Sequence, residues 1–164
     1  MVGGKTVIGN GNLLMAYVHV AHDDVIGSHC VVANRCSFAG EVEVGDWVVI
    51  GGHCAIHQWV KIGDHVMLQG GTLLSKDVPP YITVRSDTSS YAGLNRIGLQ
   101  RRGFTDEQLE SLTKTCRILF QSDMNYLNAC NEAEAQVPQS AERDYLIEFI
   151  RNSQRGVIKP YTSK

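Results

Sequence analysis

Val44-Gly45-Asp46-Trp47-Val48-Val49-Ile50-Gly51-Gly52-His53-Cys54-Ala55-Ile56 runs through one pattern twice, with a large aliphatic residue returning every sixth position. The period extends well beyond this stretch. Val2, Ile8, Leu14, Val20, Ile26, Val32, Phe38, Val44, Ile50, Ile56, Ile62, Leu68 and Leu74 share the register, and all are apolar. With 43% hydrophobic residues in the chain, such a run in any of six phases has a chance of about 1 in 10,000.

The register that follows is mostly small: Gly3, Gly9, Ala21, Gly27, Ala33, Ala39, Gly45, Gly51, Gly63 and Ser75. Three positions further comes a second apolar set: Val18, Cys30, Cys36, Val42, Val48, Cys54, Val60, Val66 and Val78. A helix repeats at 3.6 residues and a strand at 2, so neither accounts for six. A three-sided solenoid does, with three short strands and three tight corners making one coil of about eighteen residues. No coil buries its apolar side alone, so stacking supplies the core. The small register is expected at the bends, where glycine accepts positive φ.

The regular pattern ends at Pro79-Pro80, because proline cannot donate to a strand ladder. The expected fold is therefore mainly β: a left-handed parallel β-helix of hexapeptide repeats over residues 1–80, followed by a C-terminal α-helical domain. A connector spans 81–104 and the helical domain 105–164. Thr105-Asp106-Glu107-Gln108 reads as a capping box, with Phe104 and Leu109 placed as a hydrophobic staple. Leu109, Leu112, Cys116, Leu119 and Phe120 form a helical stripe. A second helix is expected from about Asp123 to Gln136, and a third, carrying Tyr145, Leu146, Phe149 and Ile150, after Ser140. The repeat is in phase from Val2 with no capping sequence before it, which gives the expectation of the C-terminal portion of a longer protein or a naturally short form.

Fifteen Lys and Arg against seventeen Asp and Glu leave a net charge of -2, so no global field calls for nucleic acid. The longest apolar run, Leu13 to Val18, is too short to span a bilayer. Five cysteines without a CxxC pair fit reduced thiols and a cytoplasmic location. Cys36 and Cys54, one coil apart, are expected as stacked inward thiols, and Trp47 and Trp59 as outward residues suited to an interface.

His19-Val20-Ala21-His22-Asp23 holds the most informative polar residues. Val20 points inward, so His19 and His22 stand outside, around one corner. Eighteen residues beyond His22 comes Gly40, and eighteen further comes Gln58, beside His57. One coil per step puts these in a column. A histidine base, a backbone N–H without a side chain and an amide on one wall suit acyl transfer. Asn95-Arg96-Ile97-Gly98-Leu99-Gln100-Arg101-Arg102 offers paired arginines suited to phosphate. Gly9-Asn10-Gly11 is better explained as a corner than as a phosphate loop.

Beyond the hexapeptides, the chain has Asn12-Leu13-Leu14-Met15, His19-Val20-Ala21-His22-Asp23, Ile56-His57-Gln58, His65-Val66-Met67, Asp77-Val78-Pro79-Pro80-Tyr81 and Gly98-Leu99-Gln100-Arg101-Arg102-Gly103-Phe104. Through these, from about Val7 to Gly156, it resembles the bacterial acyl-carrier-protein–UDP-N-acetylglucosamine O-acyltransferases, which perform the first step of lipid A synthesis. The resemblance implies a homotrimer with active sites between neighbouring β-helices. It implies His22 as general base for the sugar 3-hydroxyl, Asp23 as its orienting partner, and the Gly40 N–H as oxyanion donor. The acyl donor would be an (R)-3-hydroxyacyl thioester of acyl carrier protein. His19, His57, Gln58, Asn95, Arg101 and Arg102 match positions that contact the nucleotide sugar or the acyl donor. Met67 belongs with them, and Gly70 matches the position that sets acyl-chain length. No metal or redox cofactor is implied, because a thioester is already activated.

Two positions depart from the family pattern: Glu41 stands where histidine is usual, and Ile97 where an acidic residue is usual. Other readings are an N-acyltransferase acting on UDP-glucosamine, which Arg101-Arg102-Gly103-Phe104 argues against, a zinc hydratase using His53 and His57, and a non-catalytic scaffold.

Overall fold

The computed structural model describes residues 4–160; Val2 and Gly3 of the repeat, and residues 161–164, lie outside the described residues. Two-residue strands recur every six residues, apart from one isolated bridge at His19. They are β1 (Val7–Ile8), β2 (Leu13–Leu14), β3 (Val25–Ile26), β4 (Val31–Val32), β5 (Ser37–Phe38), β6 (Glu43–Val44), β7 (Val49–Ile50), β8 (Ala55–Ile56), β9 (Lys61–Ile62), β10 (Met67–Leu68) and β11 (Leu73–Leu74).

Each strand pairs in parallel with the one a coil later. Val7 lies opposite Val25, Val25 opposite Glu43, and Glu43 opposite Lys61. The eighteen-residue coil follows directly from that register. It gives three faces: β1-β3-β6-β9 on the first, β2-β4-β7-β10 on the second, and β5-β8-β11 on the third. The solenoid is the parallel β-helix that the period of six implied.

Both apolar registers point inward. Ile26, Val32, Phe38, Val44, Ile50, Ile56, Ile62, Leu68 and Leu74 are buried, as are Cys30, Cys36, Val42, Val48, Cys54, Val60, Val66 and Val78. In the first described coil, Ile8 and Leu14 keep 44% and 36% exposure. The cysteines of this core are thiols donating to carbonyls of the next coil: Cys36 Sγ to Gly51 O at 3.1 Å and Cys54 Sγ to Gln69 O at 3.3 Å.

The corners differ from the expectation. Positive φ does not fall on the small register but two residues later. Gly11, Tyr17, Asp23, His29, Arg35, Glu41, Trp47, His53, Trp59, His65 and Gly71, every sixth residue, have φ between 53° and 80°. For residues with a Cβ this conformation costs about 1–2 kcal/mol each. It persists because stacking over-determines it. From His29 to Gly71, the N–H of each such residue donates to the carbonyl nineteen positions earlier, at 2.8–3.3 Å. The small register is small for another reason. A Cβ on Gly9 would stand 2.6 Å from the Gly27 carbonyl oxygen, one on Gly27 2.6 Å from Gly45 O, and one on Gly63 2.6 Å from Pro80 N. Backbone of the next coil fills that space.

Beyond buried Pro79 and Pro80, the segment read as a connector carries structure of its own. β12 (Ile82–Val84) extends the second face, β13 (Tyr91–Leu94) pairs antiparallel with it, and α1 (Arg96–Arg101) follows. Then come α2 (Asp106–Gln121), α3 (Tyr126–Gln136) and α4 (Ala141–Asn152). Both halves of the Thr105–Gln108 capping box form. The tail returns to the solenoid: Asp77 N donates to Gly156 O and Ile158 N to Asp77 O. The Asp77 carboxylate, 2% exposed, accepts from Lys61 N and Ser153 Oγ.

Two glycine substitutions separate stacking from conformational freedom. Gly27→Ala forces coil backbone apart, an overpacking expected to cost about 1–3 kcal/mol. Gly71→Ala, with φ +80 and no atom within 4 Å of the added Cβ, is expected to cost only the left-handed penalty of about 1 kcal/mol. Denaturant unfolding of both variants checks the order; a costlier Gly71→Ala would put the bend back on glycine.

Candidate active site

Stacking one residue type on the next makes each of the three edges chemically distinct. On the edge between first and second faces, side chains satisfy the corner backbone. Ser28 Oγ accepts from Asn10 N, Asp46 Oδ1 from Ser28 N at 2.6 Å, and Asp64 Oδ1 from Asp46 N at 2.8 Å. Beside this ladder, His29, Trp47, His65 and Tyr81 stack ring upon ring, with centroids 4.2, 6.5 and 5.8 Å apart. Phe104 meets the His65 and Tyr81 rings edge-on. The Arg102 guanidinium lies over Trp47 at 5.5 Å and contacts His65 Nδ1 at 3.4 Å. Burial, and secondly the Arg102 charge, pull the His65 pKa down to about 4. Trp47 is thus engaged within the chain, under Arg102.

The edge between third and first faces carries His22, Gly40 and Gln58. Glu41 N donates to His22 O at 3.1 Å and Trp59 N to Gly40 O at 3.3 Å, so the three corners stack as the eighteen-residue arithmetic requires. His22 Nδ1 lies 2.9 Å from Asp23 Oδ2. That carboxylate holds Nδ1 as the protonated nitrogen, leaving Nε2 as the basic one. Nε2 faces Gly40, because a Cβ on Gly40 would stand 2.9 Å from it. Gly40 is buried, and no described group accepts from its N–H. An N–H without a protein acceptor leaves room for a water or a ligand oxygen. His19 precedes this corner, bridging to Ser37 on the third face. His57 stands next to Gln58, with Arg155 Nη2 3.3 Å from its Nδ1.

The remaining residues singled out in the sequence lie elsewhere on the prism. Met67 sits half-buried in β10 of the second face. Gly70 lies on the edge between second and third faces, where a Cβ would meet Gly52 O at 3.1 Å. Asn95 caps α1, accepting from Gly98 N, and donates to His65 O at 2.8 Å. Arg101 is exposed, and Ile97 is 65% exposed. One chain therefore brings His22, Asp23, Gly40, His57 and Gln58 to one edge with His19 just before it, and leaves Met67, Gly70, Asn95, Arg101 and Arg102 elsewhere.

Residues 77–158, half of the chain, match the family model for UDP-N-acetylglucosamine O-acyltransferase, domain 2. The chain belongs to the UDP-N-acetylglucosamine O-acyltransferase family. Residues 5–39 match the six-repeat bacterial transferase hexapeptide model. The acyl-[acyl-carrier-protein]–UDP-N-acetylglucosamine O-acyltransferase of Pseudomonas entomophila is 39% identical over 155 residues, 94% of this chain and 60% of the relative. That of Xylella fastidiosa is 38% identical, across 96% of this chain and 60% of the relative. Among solved structures, LpxA of Bacteroides fragilis, a UDP-N-acetylglucosamine acyltransferase, superposes with a TM-score of 0.89 at 46% identity. That match covers 90% of this chain and 58% of that one. The chain thus spans about 60% of the length of the curated relatives it matches.

Within this family member, a cleft of about 1200 Å³ opens between the first face and α4, lined by Asp23, Glu41, Trp59, Lys61, Phe149 and Arg155 among others. A smaller recess of about 340 Å³, formed by Gly4, Thr6, His22 and Asp23, adjoins it through Gly4 and Asp23. Among the described residues no three His, Cys, Asp or Glu side chains converge as metal ligands. His53 sits at the second-third edge, one corner before His57. No helix among the described residues is long and apolar enough to cross a membrane.

Three sets of contacts escaped sequence reading: the aromatic column, the Arg155–His57 contact, and the bonds Glu41 makes. Glu41 Oε2 accepts from Trp59 Nε1 at 2.8 Å and Oε1 from Gln58 Nε2 at 3.3 Å. Spacings of seventeen and eighteen residues were the available signal.

The His65 environment sets a pH window. Its folded pKa of about 4 lies below the ordinary 6.5, so the unfolded chain binds the proton first as pH falls. Stability therefore declines on acidification between about 6.5 and 4, and is unaffected by this group above that range. Comparing urea midpoints of wild type and His65→Gln at pH 7 and 4.5 checks this. The variant is expected to lose less stability on acidification; an equal loss would place the effect in other groups.

Proposed function

We propose that this chain catalyses transfer of an (R)-3-hydroxyacyl group from acyl carrier protein to the 3-hydroxyl of UDP-N-acetylglucosamine, the first step of lipid A biosynthesis. The observation that carries the reading is the His22–Asp23 pair with its free Nε2 directly against Gly40. The names of the family's members supply the substrates. In this mechanism His22 Nε2 takes the proton of the sugar 3-hydroxyl as that oxygen attacks the thioester carbonyl. Asp23 stabilises the imidazolium that results. The carbonyl oxygen becomes an oxyanion and accepts from Gly40 N–H. Collapse restores the carbonyl, breaks the C–S bond, and returns the proton from His22 to the departing thiolate of the carrier's prosthetic arm.

The site is completed between copies. The histidine column and the Met67, Gly70, Asn95 and Arg101 group lie on different parts of the prism, so facing copies in a homotrimer would unite them. In that arrangement Gly70, without a side chain, leaves room for the acyl chain. Arg101, exposed at the C-terminal end of α1, is the freer anion-binding arm; Arg102, laid over Trp47, fixes α1 in place. The reaction is cytoplasmic in this reading, consistent with five free buried cysteines.

Incubation with UDP-N-acetylglucosamine and hydroxyacyl carrier protein, following release of free thiol, tests the proposal. His22→Ala is expected to lower kcat by at least about 100-fold, since a positioned base contributes about 10²–10⁴-fold. Asp23→Asn should lower it by a smaller factor, with KM little changed. Full turnover by His22→Ala would remove the base from this column.

A further inference from the structure

We propose that Glu41 is a positioning residue that keeps the Gly40 N–H open by holding Gln58 away from it; the catalytic consequence rests on the oxyanion role assigned to Gly40 above. The starting point is a contrast between edges. On the first-second edge, the side chain eighteen residues on caps the corner N–H: Ser28 caps Asn10, Asp46 caps Ser28, and Asp64 caps Asp46. Gln58 occupies the same relation to Gly40 and carries a carbonyl oxygen able to do likewise. It does not. Its amide is turned to Glu41, the residue after Gly40, which Trp59 also contacts.

The direction of that contact is chemically determined. A carboxylate only accepts hydrogen bonds, so Gln58 can meet it only through Nε2. The 3.3 Å contact to Oε1 therefore commits the nitrogen end of the amide, while Trp59 Nε1 at 2.8 Å fixes the other carboxylate oxygen. With Nε2 held, Oε1 of Gln58 takes no donor among the described residues. Gly40, itself a buried residue, keeps its N–H without an acceptor among the described residues.

Glu41 has φ +53, so Glu41→Gly removes the carboxylate without straining the backbone. Two measurements follow on the full chain. In the first, NMR hydrogen exchange at the Gly40 amide is compared between wild type and Glu41→Gly. Wild type is expected to exchange at least tenfold faster, because the variant lets Gln58 cap the amide; equal rates would overturn the clamp, whatever the enzyme does. In the second, kcat of Glu41→Gly is expected to fall at least tenfold with KM within threefold. This stays inside the roughly 10²–10³ that an oxyanion donor supplies. The double variant Glu41→Gly with Gln58→Ala removes the cap, so exchange at the Gly40 amide should return to within threefold of wild type. A merely structural change would not be reversed in this way, and exchange that stays slow would overturn the proposal. Glu41→Ala repeats both readouts should the glycine variant unfold. Absence of turnover in wild type would sink the functional reading and leave the exchange result to decide the clamp.

Discussion

A corner hydrogen bond between each left-handed residue of the solenoid from His29 to Gly71 and the carbonyl nineteen positions earlier is the constraint on which the rest depends. Tyr, Arg, Glu and Trp are poor choices for positive φ, yet they occupy it at every sixth position. Each strand is only two residues long, too short to hold a pairing register alone. The corner bonds and the inward aliphatics act together: burial draws coils into contact, and the corner bonds fix the eighteen-residue step. Once that step is fixed, every outward side chain stands directly over the one a coil earlier. The solenoid thereby turns sequence separation into geometry, which is what lets groups eighteen residues apart act as neighbours.

The three edges show what that conversion can be used for. One is stabilised by a self-capping ladder of Ser and Asp beside a ring column ending at Tyr81, where Phe104 and Tyr145 dock the helical region. That edge has the corner N–H groups of Asn10, Ser28 and Asp46 capped and is suited to holding α1 and α2 in place. The edge with His22 is the opposite case. Its imidazole keeps one nitrogen free, its glycine keeps its N–H free, and its glutamine keeps its carbonyl free. Unsatisfied groups clustered in one column are a cost to the fold and a resource for binding. The functional assignment follows this division rather than the presence of histidines, of which His29 and His65 serve the other edge.

Much of this was legible in the chain. The inward registers and the stacking of His22, Gly40 and Gln58 need only counting by six and by eighteen. The capping box at Thr105 is local chemistry and formed as read. What failed had non-local causes. Positive φ was placed on the glycines because conformational preference is a property of one residue, whereas here stacked backbone imposes it on Trp59 as readily as on Gly71. The glycines at 27 and 63 answer to the backbone of the next coil, which no local rule reveals. α1 was missed because six residues with Gly98 inside offer no apolar period; it exists because Asn95 caps it and Leu99 is buried. The Glu41 clamp was beyond reach since it depends on which way a side chain turns.

The helical region is more than an appendage to the column. Its tail passes under the last coil, where Asp77 ties Lys61 to Ser153 and Lys76 Nζ bonds Arg155 O. Arg155 then spans from Ser75 O to His57 Nδ1. A residue ninety-eight positions beyond His57 thus sets where that imidazole stands, beside Gln58 and one coil below Gly40. Coils stacked on one another cannot supply such a contact, because each side chain in a column meets only its immediate neighbours. The returning tail adds the cross-link that the solenoid lacks, and it does so at the end of the edge whose groups are left open for a ligand.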